Sequence, residues 1–257
     1  MSIKTATLNG VATLEIARPD KKNALTVAMY QALSDGLRAA MADPAVRAVL
    51  ITGQPGIFTA GNDLEDFMAR PPGADGNPLE SPVFQFMRTL LECDKPVVAA
   101  VTGAAIGIGT TMLLHCDLVY VSDEARLAMP FVGLGLVPEF AASLLVPRAM
   151  GHVKAAEKLL LGEPFTAAEA VECGIANAVL PAGEVVNHAR RIAERFNQLP
   201  PGAVRESKQL MRVRDRQQVM QAIRDEGELF ARRLRSPEAQ EAFQAFFQKR
   251  KPDFSKF

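Results

Sequence analysis

The sequence predicts an α/β fold in layers, a parallel sheet whose strands are joined by helices, followed by a helical C-terminal region. Three observations carry this. Short apolar strands at Arg47 to Thr52, at Lys95-Pro-Val-Val-Ala-Ala-Val101 and at Asp117 to Ser122 are separated by segments of helix length. That spacing implies right-handed parallel crossovers. Glycine-bearing turns follow two of the strands, at Phe58-Thr-Ala-Gly-Asn-Asp-Leu64 and at Gly107-Ile108-Gly109. From Lys154 onward the pattern is almost wholly helical, broken at Gly162, Gly174 and Pro181.

In chain order, residues 5–17 alternate apolar and polar side chains around Asn9-Gly10, a two-residue hairpin signal. Arg18-Pro-Asp-Lys-Lys-Asn-Ala-Leu25 is a loop. Thr26 is placed to cap an amphipathic helix running to about Asp43, with Leu33 and Leu37 on one face. Gly53-Gln-Pro-Gly56 leads from the next strand into the first glycine turn. Ala69 to Pro82, rich in Pro, Gly, Ala and Asp, is expected to be a mobile surface loop, a lid or the wall of a pocket. A helix from about Pro82 to Cys93 precedes the central strand. Residues 126–150 read as a short strand, a glycine-punctuated loop and a helix opening at Pro138-Glu-Phe-Ala-Ala142. Gly174-Ile-Ala-Asn-Ala-Val-Leu180 reads as one last strand.

Composition narrows the function classes. At 257 residues and 48% hydrophobic, the chain can bury one large core. Equal counts of Lys+Arg and Asp+Glu, 29 each, argue against nucleic-acid binding by bulk charge, and the lack of tryptophan removes a stacking platform for single strands. No apolar run reaches membrane-spanning length, and the Met-Ser-Ile-Lys start lacks the apolar core of a signal peptide. Cys93, Cys116 and Cys173 are odd in number and without metal-ligand spacing, which indicates reduced thiols and a cytoplasmic protein. Cys116 reads as a small buried side chain rather than a nucleophile. Between Arg205 and Phe257, 13 Lys/Arg stand against 8 Asp/Glu. Such helices suit nucleic acid, an anionic ligand or a partner subunit, and equally a solvated surface.

The two glycine turns carry the chemistry. A turn that enters a helix from a strand end aims free backbone N–H groups, reinforced by the helix dipole, at whatever lies above it. Two such turns converging on one oxygen form an oxyanion hole, each donor worth on the order of 100-fold in rate. The donors are expected at the N–H groups of Asn62 and Ile108. An oxyanion hole serves acyl transfer through a tetrahedral intermediate, or an enolate beside a thioester carbonyl. The first route needs a nucleophile with an adjoining base. His115, His152 and His188 stand in no nucleophile motif, and no Gly-x-Ser-x-Gly elbow is present. The enolate route needs only a positioned carboxylate.

Phe58-Thr-Ala-Gly-Asn-Asp-Leu64, Lys95-Pro-Val-Val-Ala-Ala-Val-Thr-Gly103 with Gly107-Ile-Gly109, and Cys116-Asp117 together resemble the crotonase (enoyl-CoA hydratase/isomerase) superfamily. Arg18-Pro19 with Asn23-Ala-Leu25 matches that family's early loop. The resemblance runs through nearly the whole chain in order and spacing. It implies a spiral core of ββα units over residues 1–200, a helical trimerisation region over residues 201–257, and a homotrimer or dimer of trimers. It implies an acyl-CoA thioester as ligand, with the thioester oxygen between the N–H groups of Asn62 and Ile108. It sets the CoA nucleotide near the early loop, with Lys22 and Ala24 as contacts and Ala60, Asp63 and Leu64 along the same channel. Phe131, with Phe84 and Phe140, would wall the acyl group. No metal or redox cofactor is implied, coenzyme A being part of the substrate, and neither is a nucleic-acid or membrane partner.

Departures from the hydratase pattern sharpen the expectation. Where hydratases carry two glutamates, this sequence has Thr111 and Phe131, and neither side chain can activate water as a carboxylate does. A carboxylate appears instead at Glu139, in Leu136-Val-Pro-Glu-Phe-Ala-Ala142. Together with Gly61-Asn-Asp-Leu64, it resembles the peroxisomal-type Δ3,Δ2-enoyl-CoA isomerases. The resemblance implies that Glu139 takes a C2 proton from a 3-enoyl-CoA, that the two N–H donors hold the dienolate, and that the proton returns at C4. Glu139 is expected in the first turn of a helix, where apolar neighbours raise its pKa and the helix N-terminus lowers it. Hydration by another group, and a non-catalytic acyl-CoA binder, are the competing readings. Asp63 is expected to open a helix, Asp117 to form a turn, and His115 to be packed or partly exposed. Thr111 either orients a water or packs against the acyl chain.

Overall fold

The computed structural model describes residues 2–69 and 77–257. Asn9 and Gly10, with φ of 48° and 70°, fold β1 (Ile3–Leu8) back on β2 (Val11–Ile16). Both tolerate the left-handed region that a two-residue hairpin requires. The chain then makes one move three times, passing from a buried strand of a first sheet to a short strand of a second. β3 (Ala48–Thr52) leads to β4 (Ile57–Thr59), β5 (Val97–Val101) to β6 (Ala104–Ile106), and β7 (Leu118–Ser122) to β8 (Arg126–Ala128). With β9 (Phe165–Thr166) and β10 (Ala178–Leu180), the strands form a six-stranded sheet of order β1-β2-β3-β5-β7-β10 and a four-stranded sheet of order β4-β6-β8-β9. From β2 to β10 the larger sheet is parallel.

The strands β3 and β5 are buried on both faces, which explains their unbroken apolar sequences. Val49, Ile51, Val97 and Ala99 face the main core. There they meet α1 (Val27–Ala42), capped by Thr26 through the Met29 N–H, and α3 (Pro82–Glu92), capped by Ser81. The alternate residues Ala48, Leu50, Val98 and Ala100 cluster with Val185, Ala189 and Ala193 of α8 (Val185–Glu194). The intervening helices are α2 (Leu64–Ala69), α4 (Ile108–Thr111), α5 (Ala142–Met150), α6 (His152–Leu160) and α7 (Ala167–Glu172). The C-terminal region consists of α9 (Pro201–Val213), α10 (Arg216–Arg233) and α11 (Pro237–Phe247).

Three expectations change. The central stretch is not one strand, turn and helix: β6 intervenes, and Gly103 makes the corner between sheets. A Cβ on Gly103 would stand 1.9 Å from the Gly56 carbonyl oxygen, so no side chain fits there. The helix expected from Pro138 begins at Ala142. The stretch after Lys154 is less uniformly helical than expected, since β9 interrupts it. Of the loop expected at Ala69 to Pro82, residues 70–76 lie outside the described residues; Ala69 closes α2, Pro78–Glu80 form a 3-10 turn and Pro82 opens α3.

The arginine-rich C-terminal helices spend much of their charge inside the molecule. Asp117, expected only to form a turn, accepts from the Val97 N–H at 2.7 Å, from Lys208 at 2.6 Å and from Arg212 at 2.8 Å. Lys208, a buried lysine, also donates to the Lys95 carbonyl at 2.6 Å, and Arg212 to the His115 carbonyl at 2.7 Å. α9 is thereby fastened to the sheet. Removing one partner of such a cluster strands the other charge out of water. Asp117→Ala should therefore cost about 3 kcal/mol of unfolding free energy in urea titrations. Pairing it with Lys208→Met should recover part of the loss, and a cost below about 1 kcal/mol would show the cluster to be incidental.

Candidate active site

The two glycine turns meet because β4 and β6 pair in parallel, Ile57 with Ala104 and Thr59 with Ala105. Gly61, at φ 91°, lies so close to the second turn that a Cβ would stand 2.9 Å from the Ile106 carbonyl oxygen. A Cβ on Gly109 would stand 2.6 Å from Thr59 Cγ2. Neither the Asn62 N–H nor the Ile108 N–H has a hydrogen-bond partner among the described residues. Both residues border a cavity of about 750 Å³. Tyr30 of α1 donates its hydroxyl to the Asn62 side chain at 2.5 Å.

The early loop is locked against the first turn. Asn23, fully buried at φ 56°, accepts from the Arg18 N–H and donates to the carbonyls of Ile57 and Phe58. The Ala60 N–H donates to the Lys22 carbonyl. Lys22, Ala24, Ala60, Leu64 and Phe131 all border the cavity. Asp63 borders it too, but its carboxylate is committed elsewhere. It pairs with Arg18 at 2.6 Å and accepts the Asp66 N–H at the start of α2. Burial pushes its pKa up, but the Asp66 N–H and Arg18 outweigh this and hold it below the usual value.

The far wall was not anticipated. Phe230 of α10 and Phe246, Phe247 and Lys249 at the end of α11 complete the cavity. Their sequence distance from the turns gave no signal. The interior is apolar, while Lys21, Lys22 and Lys249 supply cations. Among the described residues no three His, Cys, Asp or Glu gather as a metal-binding group, and no helix is long and apolar enough to cross a membrane. Cys116 is half-buried, and burial pushes its thiol up to about 12.

Glu139 does not border the cavity. It is buried, 5% exposed, and its carboxylate accepts from Thr111 Oγ1 at 2.5 Å, three residues along the chain from Ile108. Thr111 thus orients the carboxyl group, which is neither of the two uses the sequence offered. Glu139 precedes α5 instead of opening it, and Phe140 and Ala141 between them are left-handed at φ 58° each. The Glu139 pKa is raised to about 8 by burial, against the Thr111 hydrogen bond and with a further push from Glu226. Nearby Tyr30 is raised well above its ordinary value by burial and by Glu139. His115, fully packed rather than partly exposed, stacks on Phe140 with ring centroids 3.8 Å apart.

The sequence model of the enoyl-CoA hydratase/isomerase family matches residues 6–256. The chain belongs to that family. Among curated relatives, enoyl-CoA delta isomerase 2 of Rattus norvegicus is 34% identical over 92% of this chain, which spans only 61% of the rat protein. The 2,3-dehydroadipyl-CoA hydratase of Escherichia coli is 31% identical, over 95% of this chain and 94% of that one. A solved structure of Pseudomonas aeruginosa OdaA shares 52% identity at a TM-score of 0.92, covering 95% of this chain and 98% of its own. An enoyl-CoA hydratase/isomerase from Pseudoalteromonas atlantica shares 41% at 0.93, covering 99% and 100%. The crotonase-type ββα spiral and the helical C-terminal region are therefore the fold of this hydratase/isomerase family member.

Because the folded-state pKa of Glu139 lies above its ordinary 4.5, folding favours the neutral acid. That stabilisation is full below about pH 4.5 and is lost as pH rises through about 8. Glu139→Gln, which cannot ionise, should gain about 2 kcal/mol relative to the parent between about pH 6 and pH 9 in denaturant titrations. A constant difference across that range would show that Glu139 is not desolvated.

Proposed function

We propose that this family member is a Δ3,Δ2-enoyl-CoA isomerase, moving a double bond from C3 to C2 of an acyl-CoA thioester. The observation that carries the reading is a buried carboxylate, Glu139, bound to Thr111 on the short helix that Ile108 opens, while the N–H groups of Asn62 and Ile108 are unpartnered among the described residues and the hydratase glutamate positions hold Thr111 and Phe131. In this mechanism the Asn62 and Ile108 N–H groups polarise the thioester carbonyl and stabilise the dienolate oxygen. Glu139 removes a C2 proton and returns it at C4. A 1,3-shift needs one group that both takes and gives a proton, and a carboxyl with a pKa near 8 does both close to neutral pH. The acyl chain would run from Ile108 along α4 towards Thr111 to reach it. The lysines at the cavity suit the phosphates of coenzyme A, and its apolar walls suit an acyl chain. The chemistry as written draws only on these groups, with coenzyme A entering as part of the substrate.

Purified protein should convert trans-3-hexenoyl-CoA to the 2-enoyl isomer, followed by the rise in absorbance of the conjugated thioester. Glu139→Gln should lower kcat by about a thousandfold or more while CoA-ester binding, measured by calorimetry, persists. Full activity in that variant would sink the assignment. The base must be ionised to act, so kcat/KM should climb with pH through about 8. The kinship with the Escherichia coli hydratase supports a second reading, water addition. Hydration of crotonyl-CoA at a rate independent of Glu139 would favour it.

A further inference from the structure

Glu139 owes its orientation to a backbone that would not hold by itself. Phe140 and Ala141 both lie in the left-handed region, at about 1–2 kcal/mol for each non-glycine residue. Such a turn persists only where its surroundings over-determine it. Two buried side chains do so. His115 Nε2 lies 2.7 Å from the Phe140 carbonyl oxygen; a carbonyl only accepts, so Nε2 carries the hydrogen. Burial keeps that imidazole neutral, its pKa lowered to about 4. The second is Glu226 of α10. Its Oε2 accepts the Ala141 N–H at 2.6 Å and its Oε1 the Ser143 N–H at 2.8 Å.

Glu226 is an unusual occupant of its place. It lies on the buried side of α10 with Val219, Ile223 and Phe230, and is itself buried. Gly227 lets α10 come this close, since a Cβ there would stand 2.1 Å from Phe84 Cζ. The N-cap position of α5 is Ala141, which has no capping side chain, so a remote helix supplies the acceptor. A desolvated carboxylate is costly unless strong hydrogen bonds satisfy it, and both oxygens are satisfied by N–H groups of the turn.

We propose that Glu226 is a positioning residue for Glu139, holding the left-handed turn through the Ala141 and Ser143 N–H groups so that the Glu139 carboxyl group stays on Thr111. Its catalytic consequence rests on the isomerase reading. The titratable groups facing Glu139 are Tyr30 from α1 and Glu226 from α10, with His115 across the Phe140 ring and Asp225 beside Glu226. Burial raises the pKa of Glu226 itself, against its bonds to Ser143 and Ala141. When ionised, it opposes ionisation of Glu139, so removing its charge moves the Glu139 titration to lower pH.

The test sets Glu226→Gln beside Glu226→Asp. Each is read by kinetics on trans-3-hexenoyl-CoA and by carboxyl carbon-13 titration of Glu139, assigned against Glu139→Gln. Glu226→Gln should lose about tenfold or more in kcat with KM within about twofold, and its Glu139 titration should move to lower pH. Glu226→Asp keeps the charge and should leave that titration near the parental position, with part of kcat restored. A folded Glu226→Gln with unchanged kcat and an unmoved titration would overturn the proposal and leave Glu226 as a helix cap, visible only in thermal stability. The titration does not depend on turnover. A moved Glu139 titration in a protein that isomerises nothing would retire the isomerase reading and retain Glu226 as the positioning group. An active parent whose titration ignores Glu226→Gln would do the reverse.

Discussion

The structure depends on the close approach of glycines to neighbouring chain at the corner between its two sheets and at the two turns beyond. Gly103 lies against the Gly56 backbone, Gly61 against the Ile106 backbone and Gly109 against the Thr59 side chain. A Cβ at any of the three would overlap its neighbour, so the constraint is steric. Strands that approach this closely carry their terminal turns with them. The unpartnered N–H groups of Asn62 and Ile108 therefore reach one cavity without any polar side chain to guide them. Asn23 reinforces the contact by tying the early loop to the carbonyls of β4.

The same compactness that makes the turns meet makes Glu139 expensive. A carboxyl group shut away from water resists ionisation, and Thr111 offsets only part of that resistance. The surrounding clusters carry the difference. Asp117 draws Lys208 and Arg212 of α9 onto the sheet, and α10 continues from there to deliver Glu226 and Phe230. Structural ion pairing at one edge thus supports a reluctant acid at another. This pattern matches the general tendency for stability to be given up at sites of chemistry and recovered around them.

What could be read from the sequence was what local physics specifies. The Asn9-Gly10 hairpin, the Thr26 cap, the apolar strands β3, β5 and β7 and both glycine turns each depend on a few adjacent residues. β4, β6 and β9 escaped because these two- and three-residue strands sit inside the turns or the helical stretch, with no apolar run of their own to mark them. The start of α5 was misplaced because Pro138-Glu139 imitates a helix opening, whereas Glu226, a residue 85 positions away from Ala141, decides where the free N–H groups begin. A clue to Glu226 did exist: it falls on the apolar stripe of Val219, Ile223 and Phe230, where a carboxylate needs a reason. The far wall of the cavity left no comparable trace, since Phe246 and Phe247 end an ordinary amphipathic helix and Lys249 follows it.

That wall has a kinetic meaning. The cavity draws on residues 21–24, 60–67, 106–108, 130–136 and 230–249, so its closure joins segments from near both ends of the chain. Contacts of such long loop length form late, because the entropy of closing the loop is spent before the contact returns anything. The paired turns, built from neighbouring strands, can be in place while the pocket is still open on one side. Ligand affinity in this chain is therefore a reporter of complete folding, and it would fade before the spectroscopic signature of the sheets on the way to unfolding.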